Sequence, residues 1–234
     1  MNDYTTQQQQ LILHMKNNMR QAQAQMSIFE MKNDYENDDA ISLTSVTLIS
    51  EAITNIILEK IIKPLQLLEP CHYYYASDML HITIKNVRKM HKPPRFSEDD
   101  AQKVNNLFKE IIPSFTSFKF KFEGLVLFPT SLSLIGYCNE TLRELVQALD
   151  DGLKEIGLID DKKYISDTVF FGNMTLCRFT QAPSLLFQDK VRELEDIYIG
   201  EMNVSEINIV TCNVVCHPKS RKIIGAYKLH SNTT

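Results

Sequence analysis

Glycine is scarce in this sequence, with seven residues among 234. Loops that cradle phosphate through backbone N–H groups are built on glycine, and the chain has no Walker-type glycine loop. It also has no nucleophile elbow, in which glycines flank a reactive serine. These absences argue against two common routes to nucleotide or ester hydrolysis. Any phosphate binding is therefore expected to rest on side chains.

The chain also lacks an excess of positive charge, because 25 Lys and Arg residues stand against 29 Asp and Glu residues, for a net charge of −4. Non-specific binding to long nucleic acids requires a basic footprint. The charge balance therefore argues against such binding and leaves room only for a small, local basic cleft.

Cysteine is also infrequent and follows no disulfide framework. The five cysteines are odd in number and scattered, which indicates free thiols in a reducing compartment. Cys212, Cys216 and His217 look like half of a metal site, but no second ligand pair completes it, and strand spacing explains the two cysteines better. We therefore predict no metal and no cofactor.

Long apolar runs are missing as well. No stretch approaches the roughly 18 apolar residues of a membrane span. The first ten residues are polar and contain no apolar core of a signal peptide. These features predict a cytoplasmic protein with no membrane association.

Residues 1–39 form a distinct N-terminal region, rich in glutamine up to residue 25 and acidic from residue 31. Apolar residues at helical spacing predict a marginal amphipathic helix, carrying Leu11, Met15, Met19, Ala22 and Met26 on one face. Two interpretations are open. The helix packs on the body of the chain or on a partner protein, or the region is a solvated leader followed by an acidic linker.

Residues 40–234 read as a globular α+β domain in which one order of elements occurs twice. Each time, a helix is followed by a short strand of alternating apolar and polar residues, a second helix and two more strands. The repeat predicts two pseudo-symmetric lobes of antiparallel sheet and helices, about 40–137 and 138–234, around a central cleft.

The two alternating strands carry the residues of greatest chemical interest. In the first, Leu80, Ile82 and Ile84 alternate with His81 and Thr83. Because side chains on a strand point to opposite faces in turn, His81 and Thr83 share one face.

The second strand repeats this arrangement. Met174 and Leu176 alternate with Asn173 and Thr175, which share a face in the same way. Two such strands facing one another are suited to hold a phosphate from two sides.

The paired His-x-Thr-like strands, about 90 residues apart in a two-lobed α+β chain, resemble the two-histidine phosphoesterase superfamily, which includes 2′-5′ RNA ligase-like proteins and cyclic nucleotide phosphodiesterases. The resemblance covers about residues 50–229. It implies that His81 is a catalytic general acid or base and that Thr83 and Thr175 bind the phosphate.

Asn173 departs from the family pattern, because it stands where the second histidine is expected. Its amide can donate a hydrogen bond to a phosphate oxygen but cannot exchange a proton near neutral pH. Cleaving a phosphodiester requires one proton to be removed and another supplied, a task for which histidine is well suited. Three outcomes fit the loss of the second histidine: a slow enzyme, a one-histidine enzyme with a good leaving group, or a phosphate binder.

Three functions are therefore carried forward. The first is a phosphoesterase that acts on a 2′,3′-cyclic or 2′-5′-linked nucleotide or on an RNA end by metal-independent histidine chemistry. The second is a non-catalytic member of the fold that binds a nucleotide or another phosphorylated ligand. The third is an adaptor whose N-terminal helix binds a partner protein and whose cleft is vestigial.

Two basic residues lie close to the motifs. Lys85 follows Thr83 on the same face, where it could neutralise phosphate, although a solvated lysine at the end of a strand is the favoured interpretation. Arg178 has the opposite parity to Asn173 and Thr175, so structural pairing is expected unless the strand bulges.

Four ring side chains elsewhere in the chain are weaker candidates. Phe128 and Tyr137 could stack on a base, but core packing is favoured. His72 and His91 are the only nearby histidines that could replace the missing one. Neither is favoured, because His72 precedes three tyrosines with no matching partner and His91 lies in a proline-rich loop.

Overall fold

The computed structural model describes residues 3–21, 28, 30–32, 34–162 and 164–231. Within them the α-helices are α1 (Asp3–Gln21), α2 (Glu51–Ile57), α3 (Lys63–Leu68), α4 (Glu98–Ile111), α5 (Thr141–Glu155) and α6 (Leu185–Glu193). The strands are β1 (Ile41–Leu48), β2 (Tyr73–Tyr74), β3 (His81–His91), β4 (Phe118–Phe128), β5 (Ser131–Tyr137), β6 (Gly172–Arg178), β7 (Tyr198–Val204), β8 (Glu206–Cys212) and β9 (Lys222–Lys228).

The strands form two antiparallel sheets, which confirms the α+β fold class. Sheet one has the order β3-β1-β8-β9, and sheet two has the order β2-β6-β5-β4-β7. Each sheet combines strands from both sides of residue 137. The sheets therefore do not follow the expected division into lobes at 40–137 and 138–234.

Strand β1 is not predicted by the sequence pattern, although it is central to sheet one. Thr44 of β1 is paired with Asn86 of β3 on one side and with Val210 of β8 on the other. The strand is mostly buried, and its alternation of apolar and polar residues changes phase between Thr44 and Ser45. Its period-two pattern is therefore weak, which is why no strand is expected at the start of the domain.

Helices and sheets share one large apolar core. Ile57 of α2, Phe108 of α4 and Leu145 of α5 are fully buried in the same cluster as Phe120 of β4 and Ile207 of β8. Burying a side chain of this size contributes about 1.5–3 kcal/mol relative to leaving it exposed. This core holds the two sheets in a fixed relationship, on which the geometry between them depends.

Two helix boundaries show how local sequence shapes the fold. The sequence predicts a helix start at Ser97, with Asp100 in the position of a capping box. Helix α4 begins with this capping box: the Asp100 N–H donates to Ser97 Oγ, and the Ser97 N–H donates to Asp100 Oδ2. A proline within a helical pattern predicts an end or a kink, so the sequence predicts that Pro64 ends or kinks the helix that starts at residue 51. Instead, a π-helical segment, Leu58–Ile62, leads into α3, and Pro64 lies in the first turn of α3, where its missing N–H is tolerated.

Helix α1 packs on the body of the chain. Its buried residues are Tyr4, Gln8, Ile12 and Met15, and Ile12 and Met15 contact the cluster formed by Val126 and Ile135. Met15 was predicted on the apolar face, whereas Ala22 and Met26 lie outside the described residues.

Two polar side chains fix α1 in place. Gln8 Nε2 donates to the Phe170 carbonyl oxygen at 2.6 Å, and the Cys138 N–H donates to Gln8 Oε1 at 3.2 Å. Tyr4 Oη accepts from the Phe170 N–H at 2.7 Å and donates to its carbonyl at 3.1 Å. The helix is thereby tied to the segment that precedes β6. In the described part of the chain, no helix combines the length and apolar character required to cross a membrane.

Candidate functional site

A cavity of about 540 Å³ lies between the two sheets. His81 and Thr83 of β3 line it from sheet one, and Asn173 and Thr175 of β6 line it from sheet two. The structure therefore brings the four residues singled out in the sequence together around one space. Their alternation along each strand directs them to the same side, as a period of two requires.

The imidazole of His81 is oriented by its own chain. Its Nδ1 atom lies 2.7 Å from the carbonyl oxygen of Met79. Because a carbonyl oxygen can only accept a hydrogen bond, Nδ1 carries a proton. In the neutral ring, Nε2 is then the nitrogen that can accept one.

Close packing between the sheets depends on Gly172, the first residue of β6. A Cβ atom at this position would lie 2.8 Å from Ile82 Cδ1 and 2.9 Å from Phe120 Cε1. Such contacts are shorter than van der Waals separation, so a larger residue would have to displace Ile82 and Phe120, whereas glycine allows this approach of the backbone. The contact places the start of β6 directly beside β3.

A bulge in β6 brings Arg178 into the cavity. In the pairing with β5, Leu132 is opposite Cys177 but Ser133 is opposite Thr175, so one residue of β6 is unpaired. The bulge reverses the parity beyond it, and Arg178 lines the same cavity as Asn173 and Thr175. Arg178 was expected to face away from Asn173 and Thr175 only if the strand were regular. Because β6 bulges, Arg178 faces the cavity with them.

Arg178 is held by a buried tyrosine. Its Nε donates to Tyr75 Oη at 3.0 Å, and Tyr75 Oη donates to the Val214 carbonyl oxygen at 3.3 Å. Burial raises the pKa of Tyr75 to about 12, although the neighbouring guanidinium opposes the shift. Tyr75 is therefore a neutral hydrogen-bonding residue at physiological pH.

Lys85 behaves differently from the prediction, because β3 also has a bulge. Val46 of β1 is opposite Thr83, whereas Ser45 is opposite Lys85, so Ile84 is unpaired. Lys85 is 2% exposed, and its Nζ lies 2.6 Å from Asp150 Oδ1 and 2.9 Å from Asp160 Oδ2. The interpretation of Lys85 as a solvated lysine is wrong. Its ammonium group forms ion pairs with these two carboxylates.

The cavity is lined by cations and contains no carboxylate among the described residues around it. These cations are Lys89, Lys162 and Arg178. The whole chain has a net charge of −4, so this separation of charge is local. A cleft with one sign of charge raises the local concentration of ligands of the opposite sign. The cavity therefore favours anions.

Aromatic rings form another part of the wall. Phe128, Tyr164, Phe170 and Phe171 line the cavity, and rings of this kind can stack on a nucleobase. Phe128 also packs against a buried cluster, as expected. Tyr137 packs against the same cluster, does not line this cavity, and has its pKa raised to about 12 by burial.

Neither candidate for a second histidine reaches the cavity. His72 is buried between Phe179 and Phe187, and the Nδ1 atom of His91 contacts the Pro93 carbonyl oxygen where β3 ends. Among the described residues, His81 is the only histidine that lines the cavity.

Two thiols lie at the edge of the site. Cys212 ends β8 and lines the cavity, and Cys216 follows in a buried turn with a left-handed φ of 53°. A hydrogen bond from Cys212 lowers the pKa of Cys216, as do the nearby charges of His81 and Arg221, although burial opposes them. The same hydrogen bond, together with burial, raises the pKa of Cys212. Cys216 is therefore the more acidic thiol of the pair.

No family model matches the chain, and no curated protein matches its sequence. Solved structures do match. TT0787 of Thermus thermophilus aligns with a TM-score of 0.59 at 15% identity, covering 82% of this chain and 99% of that one. A crystal structure described as a phosphoesterase aligns with a TM-score of 0.58 at 13% identity, covering 80% and 98%.

LigT of E. coli complexed with 3′-AMP aligns with a TM-score of 0.57 at 13% identity, covering 82% of this chain and 99% of LigT. At such low identity these alignments establish the architecture and not the activity. They agree with the resemblance found in the two motif strands. The chain has the fold of the two-histidine phosphoesterases.

Proposed function

We propose that the cavity binds the phosphate of a small phosphodiester, such as a 2′,3′-cyclic or 2′-5′-linked nucleotide or an RNA end, and acts on it through His81. The observation that carries this proposal is the lining of the cavity. It combines His81, two threonines, an asparagine and Arg178 with no carboxylate among the described lining residues, in a chain whose net charge is negative.

Each lining residue has a role that its chemistry allows. The hydroxyls of Thr83 and Thr175 and the amide of Asn173 donate hydrogen bonds to phosphate oxygens. The Arg178 guanidinium supplies positive charge in a planar geometry suited to phosphate. His81 Nε2 can accept a proton, because the proton of the neutral ring is on Nδ1, which donates a hydrogen bond to the Met79 carbonyl oxygen.

The reaction needs two proton transfers. During hydrolysis of a cyclic phosphate, water forms a bond to phosphorus and its proton passes to His81 Nε2. The bond between phosphorus and one ribose oxygen breaks, and that oxygen takes up a proton from solvent water. Asn173 cannot supply that second proton. General acid–base catalysis by one group contributes about 10²–10⁴-fold in rate, so turnover is expected to be slow or limited to esters with good leaving groups.

Asn173 also favours the second candidate function, which is binding without turnover. The residues that hold a phosphate are all retained, whereas one of the two proton-transfer residues is not. E. coli LigT, which has this fold, is complexed with 3′-AMP, with ATP and with phosphate in its crystal structures. These complexes support the choice of nucleotides as test ligands for this chain.

The adaptor hypothesis has less support. Leu11 and Met15, two residues of the face predicted to reach a partner protein, pack against the cluster around Val126 and Ile135.

The five cysteines are free thiols, which supports our placement of the protein in the reducing cytoplasm.

The test is to measure turnover and binding of 2′,3′-cyclic nucleotides and 2′-5′ dinucleotides by the full chain, His81→Ala and His91→Ala. His91→Ala removes a histidine outside the cavity and serves as the matched control. We expect His81→Ala to abolish turnover, or to weaken binding if there is no turnover, with His91→Ala unchanged. A parent chain that shows no turnover and no binding of these ligands would refute the proposal.

A further inference from the structure

A cluster of potential metal ligands lies away from the cavity, where α3 leads into β2. It consists of the Glu69 carboxylate, the Cys71 thiol and the His72 imidazole, whose ligand atoms all lie within 4.8 Å of one another. His72 Nε2 is 3.4 Å from Glu69 Oε1, and Cys71 Sγ is 3.9 Å from the same oxygen. Cys71 Sγ also lies 3.9 Å from the other ring nitrogen, His72 Nδ1. The three side chains therefore form one small cluster.

His72 provides an independent reason to consider a ligand here. The residue is 4% exposed, and its Nε2 atom has no hydrogen-bond partner among the described residues. Leaving a buried polar atom unsatisfied costs about 1–3 kcal/mol, and such atoms in native proteins usually have an explanation. Phe179 and Phe187 pack against the ring and fix its direction toward Glu69.

The carboxylate of Glu69 is also held in place by its surroundings. Its Oε2 accepts from Ser184 Oγ at 2.7 Å and from the Ser184 N–H at 3.1 Å. Contacts to Oε1 are longer, at 3.4 Å from both Gln181 Nε2 and the Ser184 N–H. Oε1 is thus the oxygen best able to bind a cation. The hydrogen bonds from Ser184 to Oε2 orient the carboxylate, as residues hydrogen-bonded to metal ligands do in metal sites.

We propose that Glu69, Cys71 and His72 bind Zn²⁺, with water as a fourth ligand. Imidazole, thiolate and carboxylate are the ligands that zinc uses in proteins. Bond lengths of about 2.0–2.3 Å in a tetrahedron place neighbouring ligand atoms about 3.3–3.8 Å apart. The two separations measured to Glu69 Oε1 are close to this range. Binding releases the Cys71 thiol proton, because the thiolate is the ligand.

The site connects three parts of the fold. Glu69 follows α3, Ser184 is the N-cap of α6, and Thr180 Oγ1 donates to the Cys71 carbonyl oxygen at 2.7 Å. A metal held here stabilises the edge of sheet two at β2, which directly precedes Tyr75. The expected effect of the metal is on stability, and it does not depend on the proposed reaction at His81.

The sequence predicts no metal because no second ligand pair completes the half-site at Cys212, Cys216 and His217. Glu69, Cys71 and His72 lie within four residues of one another, and only the turn after α3 brings their side chains together. Cys212, Cys216 and His217 are not part of this cluster.

The experiment uses the full chain, stripped with a chelator and titrated with Zn²⁺, and separately with Co²⁺ as a spectroscopic probe. Cys71→Ala is the informative variant, because Cys71 is exposed and its loss leaves the core intact. Cys216→Ala is the control for metal bound elsewhere. We expect one Zn²⁺ per chain, thiolate-to-cobalt absorption and a higher melting temperature with Zn²⁺.

In Cys71→Ala the thiolate-to-cobalt absorption should disappear. The affinity for Zn²⁺ should fall by more than about tenfold, because mutation of a residue that is only hydrogen-bonded to a metal ligand already costs that much. Cys216→Ala should bind as the parent does. His72→Gln, if folded, should also lose affinity. Failure of the parent to bind Zn²⁺, or equal binding by Cys71→Ala, would overturn the proposal whatever the outcome at His81.

Discussion

Gly172 approaches Ile82 so closely that a Cβ atom at residue 172 would lie 2.8 Å from Ile82 Cδ1. The two residues precede Asn173 and Thr83, which line opposite walls of the cavity. A close approach between a glycine and an isoleucine, neither of which lines the cavity, therefore holds β6 beside β3 next to the proposed phosphate site.

Gly172→Ala tests this relationship. The added methyl group overpacks the contact, which is expected to reduce the free energy of unfolding by about 1–3 kcal/mol and to weaken ligand binding by separating β6 from β3. Urea unfolding and ligand titration measure the two effects. Unchanged stability and affinity in Gly172→Ala would contradict this account.

Asn173→His should restore the missing proton-transfer residue. If the parent turns over a cyclic phosphodiester slowly, the variant is expected to be faster by up to about 10²–10⁴-fold, the usual contribution of one acid–base group. Steady-state kinetics on the same substrate measure the gain. The double variant His81→Ala, Asn173→His should lose this gain in rate, because only one of the two proton transfers then has a histidine. A faster double variant would show that His81 is not the partner.

Lys85→Met should be strongly destabilising. The substitution leaves Asp160, whose side chain is 5% exposed, without its ion pair, and breaking a buried pair costs about 3–5 kcal/mol. The matched control is Lys63→Met, which removes an exposed pair with Glu59 and is expected to cost about 0–1 kcal/mol. Chemical denaturation of both variants gives the comparison. Similar losses in the two would mean that burial of Lys85 has little energetic consequence.

Stability should depend on pH through Asp150. Partial burial raises the pKa of this carboxyl, but hydrogen bonds from Lys154 and Lys85 outweigh burial, so the pKa lies below its ordinary value of 3.8. A group with a lowered native pKa stabilises the fold above its unfolded pKa and loses that contribution as the pH falls through the native value.

The free energy of unfolding, measured from neutral to acidic pH for the parent and Asp150→Asn, checks this expectation. The parent should be the more stable at neutral pH, and the difference should shrink as the pH drops below 3.8. A difference that grows on acidification would have the wrong sign for this pair.

Tyr4→Phe should loosen one wall of the cavity. The hydroxyl of Tyr4 satisfies both the N–H and the carbonyl of Phe170, and Phe170 lines the cavity. Its removal is expected to cost about 1–3 kcal/mol and to increase proteolytic cleavage before β6. Tyr198→Phe, at a residue that is 50% exposed, should be close to neutral. Equal protease resistance in parent and Tyr4→Phe would argue against an anchoring role for α1.

The sequence was a good guide wherever a local pattern determines the structure. The alternation around His81 and Asn173 identified both strands of the cavity, and the residues after Ser97 identified a capped helix, because these signals lie within a few residues. It was a poor guide to Lys85 and Arg178. Each lies beyond a bulge that depends on the neighbouring strand, so parity counted along one strand assigned the wrong face.

Helix α1 shows another limit. Tyr4 and Gln8 are fully buried, yet a search for apolar residues at helical spacing passes over a glutamine in a glutamine-rich segment. The partners of Gln8, at Cys138 and Phe170, are 130 and 162 residues away and cannot be inferred from the local sequence. The cluster at Glu69 was overlooked for a related reason, since a turn and not a spacing rule brings its ligands together.

The interleaving of the two sheets has a consequence for synthesis of the chain. Thr44 of β1 pairs with Val210 of β8, so one side of β1 has no neighbour until most of the protein has left the ribosome. Pairings of this range slow folding, because a long loop must close before the contacts that reward it form. An unpaired strand edge also invites association with other chains. Premature termination before β8 should therefore yield an insoluble fragment, even though His81, Thr83, Asn173 and Thr175 are all already present in it.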